Sequence, residues 1–106
     1  MRVGLNYGCE KFGSAIDSAL TNTDPLQTRL AGVMLGVHHL QRDDFPDDVT
    51  WERFQKLLTG TTMLPATGDE GTIQATTSKM TDDEARTWLH EAFYIYTCIG
   101  EAYGRE

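Results

Sequence analysis

Apolar positions recur in steps of three and four along four separate stretches of this chain. Each stretch predicts a helix with one buried face. The last is the clearest. Ala85, Trp88, Leu89, Ala92, Phe93, Tyr96, Ile99 and Tyr103 mark one side of a helix that starts near Thr81. The Thr81 hydroxyl is placed to accept from the Glu84 amide while Glu84 reaches back, a capping box, and Met80 stands where a hydrophobic staple would face Ala85. Such a helix would be roughly 33 Å long at the standard rise. A stripe of that length must be covered by other helices.

Leu5, Cys9, Phe12, Ile16, Ala19 and Leu20 predict a first helix over residues 5–21, weakened at Gly8 and Gly13 and ending at Asn22, which tolerates the left-handed conformation. In the second helix Asp24 is read as the cap, Pro25 as the first helical position and Gln27 as the end of a box-like pattern. Its core stripe is Leu26, Leu30, Val33, Val37 and Leu40. The third lies within Asp47–Thr59 and stops at Gly60, with Trp51, Phe54, Leu57 and Leu58 as its apolar face. Before it, Phe45-Pro46 reads as a turn whose phenylalanine tucks inward. Only Asn22, Thr23 and Asp24 separate the first two helices, so they should be antiparallel neighbours.

Residues 61–80 break the pattern. Six threonines, Pro65, Gly68 and Gly71 make poor helix chemistry and rich turn chemistry. Gly68-Asp69-Glu70-Gly71 fits the tip of a β-hairpin, and residues 72–77 alternate weakly, as a strand does. A flexible loop fits equally well. The fold class that follows is all-α: a single domain over residues 1–106, built as a four-helix, mostly antiparallel bundle. A long Thr/Gly-rich loop or small hairpin joins helices three and four.

Charge and composition narrow the function. Sixteen acidic side chains against nine basic ones give a net charge of -7, which speaks against nucleic acid and against an anionic membrane as partners. No run of 18 or more apolar residues suggests a membrane span, and the first residues lack the charged-then-apolar order of a secretory leader. A cytoplasmic location is expected, with Cys9 and Cys98 as free thiols and a disulfide between them as the alternative.

Gly32 and Gly36 sit mid-helix, where together they weaken the helix by roughly 1.5–2 kcal/mol. The offset is either close approach of another helix or a ligand against bare backbone. Arg29 and His39, one turn to either side, would share that face. His38 and His39 are adjacent and diverge by about 100° on a helix, so they do not chelate one metal. The acidic run Asp43, Asp44, Asp47 and Asp48 lacks the glycine and distal glutamate of a calcium loop and reads as helix-start electrostatics. No phosphate loop and no nucleophile elbow occur. On the last helix, Arg86, His90 and Tyr94 lie on the polar side, a composition common at protein interfaces. Tyr7, Tyr94, Tyr96 and Tyr103 are more hydroxyls than a small core buries easily.

These readings point to a small acidic, non-catalytic interaction protein: a regulator, inhibitor or adaptor. It would bind a partner protein, self-associate as a homo-oligomer with a dimer favoured, or both. Arg29, Gly32, Gly36, His39, Arg86, His90 and Tyr94 are its candidate ligand or interface residues. The alternative is a small-molecule binder, for an anionic or nucleotide-like ligand between Arg29, Gly32, Gly36, His39 and the Thr-rich segment. An enzyme using His39 or His90 as a base ranks third. No catalytic residue, metal ligand or cofactor is assigned.

Overall fold

The periodicities above become helices where they predict them, and one segment becomes a helix where they do not. The computed structural model describes residues 3–66 and 71–105, and among these it is all-α. Helix α1 spans Val3–Thr21, α2 Leu26–Val37, α3 Asp48–Gly60, α4 Gly71–Thr77 and α5 Asp82–Gly104, with a 3-10 turn at Arg42–Asp44. The helix count among the described residues is therefore five, not four. Helix α1 packs on α2 and α5, α2 also on α4 and α5, and α3 on α5.

Helix α4 is the correction to the strand or loop reading of 61–80. Its residues alternate weakly, but Ile73, Thr76 and Thr77 also fit a helical step, and all three are buried. The hydroxyls that make threonine a poor helix former are satisfied locally. Thr76 Oγ1 donates to the Thr72 carbonyl at 2.7 Å and accepts from the Leu64 amide at 2.9 Å. Packing against α2 outweighs a propensity difference worth only tenths of a kcal/mol per residue. The proposed hairpin tip at Gly68, Asp69 and Glu70 lies outside the described residues.

Local signals explain most helix ends. Thr81 and Glu84 form the reciprocal box at the start of α5, at 2.9 and 3.1 Å. Asp47 caps α3 by accepting from the Thr50 amide at 2.8 Å. That amide holds the Asp47 carboxyl below the usual carboxylate range. Helix α2 departs from expectation. It begins after Pro25 without a side-chain cap, and Asn22 Oδ1 takes the Asp24 amide instead. Gln27 bonds across to Met80 O and Asp82 Oδ1, so it ties the start of α2 to the start of α5.

The core is a contiguous apolar cluster running from Leu5 to Ile99. Its densest part is aromatic: Phe12, Phe45 and Phe54 are fully buried, and Phe45 and Phe54 lie 4.7 Å apart between ring centroids. Phe45 points inward as its turn implies. Gly8 explains itself here, since it brings α1 against the backbone of Asp44 with no room for a Cβ. The inward face of α5 differs from the expected one by a small rotation. Ile95 is buried, whereas Phe93 is nearly half exposed. Leu20, read as part of the α1 seam, points into solvent.

Candidate functional site

The rotation of α5 and the exposure of Leu20 create a groove. A cleft of about 250 Å³ lies between the second half of α1, the first turns of α2 and the middle of α5. Ile16, Ala19 and Leu89 contribute its apolar lining. Leu20, 73% exposed, and Phe93, 46% exposed, stand at its margin. Arg29, Arg86 and His90 supply the polar groups.

Three candidate residues from three sequence positions thus meet in one cleft. Arg29 reaches it because its side chain folds back over the corner between α1 and α2. Its Nε donates to the Asp24 carbonyl at 2.9 Å and a terminal nitrogen to the Ala19 carbonyl at 3.5 Å. Both acceptors are backbone carbonyls, and no carboxylate lies within ion-pair distance of Arg29 among the described residues. Arg86 pairs with Asp83 one turn earlier at 2.6 Å, with both side chains well exposed. An exposed pair of this kind is worth at most about 1 kcal/mol, so Arg86 is easily recruited by a better acceptor.

The other candidates lie elsewhere. Gly32 faces open space, where an added methyl would have nothing within 4 Å, while a methyl on Gly36 would meet that of Ala15 on α1 at 3.4 Å. The expected strip is therefore half helix contact and half bare surface. His39 does not share the α2 face, because α2 ends at Val37 with His38 as its C-cap. It bonds instead with the Tyr7 hydroxyl at 2.9 Å. Tyr94 stacks under the Arg53 guanidinium at 4.3 Å. Arg53 in turn grips Glu91 through two bonds of 2.7 and 2.9 Å, which push the guanidinium still further above its usual range. Sequence gives no signal for this α3–α5 clamp, because its partners lie 38 residues apart.

A second hollow, of about 260 Å³, does lie between α2 and the Thr-rich segment. It is lined by Gln27, Thr28, Ala31, Gln74, Thr77 and Ser78, and so by none of the four residues expected to face that segment. Cys9 and Cys98 are free thiols, and burial raises the Cys9 pKa. No cluster of three or more metal-ligating side chains occurs among the described residues. No described helix is long and apolar enough to cross a membrane. The fold and cleft define an all-α protein with an apolar, cation-edged groove. The chain matches no protein family, no curated protein and no solved structure.

Proposed function

We propose that this chain is a non-catalytic interaction protein that binds a partner protein, or a second copy of itself, through the groove between α1, α2 and α5. The observation that carries the reading is the placement of Leu20 and Phe93 in water on either side of an apolar hollow. Single exposed apolar side chains are ordinary, but a contiguous patch with a concave centre suits a contact surface. Covering it gains about 25 cal/mol for each Å² of apolar area removed from water. Free thiols at Cys9 and Cys98 support a reducing compartment such as the cytoplasm.

The test is light scattering over rising protein concentration, joined to affinity isolation with Leu20→Asp as the control bait. Self-association or a recovered protein that Leu20→Asp abolishes supports the reading. A strict monomer with no Leu20-dependent partner overturns it. The second reading, an anionic small molecule in the same cleft, is favoured by Arg29 and Arg86. It predicts that a small carboxylate or phosphate ligand raises the melting temperature, since selective binding to the folded state stabilises it.

A further inference from the structure

We infer that the groove's occupant is an acidic amphipathic helix of a partner protein. The inference rests on the interaction reading above and adds the chemistry of the partner. Size is the first argument. Ligand pockets that enclose a small molecule run to about 300–1,000 Å³, whereas this cleft of about 250 Å³ is smaller and is lined in part by the solvent-exposed Leu20 and Phe93. It holds one or two side chains of something larger.

Shape is the second argument. On α1, Ile16 and Leu20 lie four apart, and on α5, Leu89 and Phe93 lie four apart. Each pair makes a short apolar ridge on its own helix. The trough between two such ridges suits the i, i+4 stripe of a docking helix.

Charge decides among occupants. Among the described residues the charged lining consists of Arg29 and Arg86, in a chain of net charge -7. Among the described residues Arg29 has only backbone acceptors, and Arg86 has only the weak Asp83 pair. A glutamate or aspartate flanking the docked stripe gives both a charge-assisted, fork-shaped partner. The overall negative charge would repel an acidic partner at long range. Screening over about 8 Å at physiological salt leaves the local guanidinium groups dominant at contact. A second copy fits less well, because among the described residues no two of the exposed large apolar side chains lie three or four apart on one helix, so the chain's own exposed surface offers no such stripe to dock.

The probe is a stapled helical peptide with leucines at i, i+4 and i+7 and glutamates beside them, titrated by fluorescence anisotropy. Peptides with glutamine or lysine at the glutamate positions are the comparators. The glutamate peptide is expected to bind about tenfold tighter than the glutamine one, the factor that one charge-assisted bond gives, and to weaken as salt rises. Arg86→Gln should remove most of that preference, and Leu20→Asp should abolish binding of all three. Amide shifts in NMR should cluster at 16–20 and 86–93. Arg86 is chosen because Arg29 also holds the α1–α2 corner, and circular dichroism confirms folding of each variant. Equal or tighter binding of the lysine peptide, or shifts centred elsewhere, overturns the acidic helix and leaves the interaction reading standing. So does displacement of the peptide from the groove by dodecanoate at lower concentration, or a Leu20-dependent dimer that excludes it. No peptide binding together with a strict monomer and no recovered partner removes both.

Discussion

A methyl group at position 8 would run into the Asp44 carbonyl, whereas one at position 32 would meet nothing. The two glycines weaken their helices for different reasons, and substitution separates them. Gly8→Ala should destabilise by about 1–3 kcal/mol, the range for forcing atoms into a filled site. Gly32→Ala should stabilise by up to about 1 kcal/mol, because it restores helix propensity at no steric cost. Urea melts of both variants check the opposite signs. Asp47 offers a pH test. Its pKa is lowered by the Thr50 amide, so the cap contributes fully above the unfolded value of about 3.9 and is lost as pH falls through the lower folded value. Asp47→Asn keeps a capping oxygen and should flatten the acid limb of a stability–pH curve while leaving neutral stability nearly unchanged. An unaltered acid limb would contradict that account. Sequence spacing identified the Thr81–Glu84 box because capping is local, and it read Asp47 only as part of an acidic run at a helix start. It gave α2 a cap at Asp24 that the helix lacks: α2 starts after Pro25 with no side-chain cap, and the Asp24 amide is bound by Asn22.

Between elements, the contacts that fix α3 on α5 come from distant parts of the chain. Arg53 holds Glu91 by two bonds and covers the Tyr94 ring, with the two charged side chains 41% and 22% exposed. Partial exposure means solvent screens the pair. A double-mutant cycle through Arg53→Ala and Glu91→Ala should return about 0.5–1 kcal/mol of coupling, and the value should shrink in high salt. A coupling of zero would show that the bidentate geometry is not held in solution. Helix α4 shows why element type escaped the sequence. Alternation at 73, 75 and 77 and helical spacing at 73, 76 and 77 are both present in one short run, and burial against α2 decided between them.

Across the whole molecule, burial separates positions that hold the fold from those free to bind. Phe45 packs among Phe12, Phe54 and Trp51 with no exposure, while Phe93 stands at the groove margin. Phe45→Ala should cost about 3–5 kcal/mol, a large share of the roughly 5–15 kcal/mol of a typical domain. Phe93→Ala should change thermal stability by less than about 0.5 kcal/mol, as surface substitutions do, and act on binding instead. Calorimetry of the two variants side by side tests the division.

The chain's own pattern determined the all-α class, the positions of four helices and the capping box of α5. These depend on residues three or four apart, and such interactions are written in the order of the amino acids. Only tertiary structure decided that residues 71–77 coil, that α5 turns Ile95 inward and Phe93 outward, and that Arg29, Arg86 and His90 edge one cleft. Each of those outcomes depends on which helix lies against which, and surfaces meeting across dozens of residues leave no periodic trace in a single sequence.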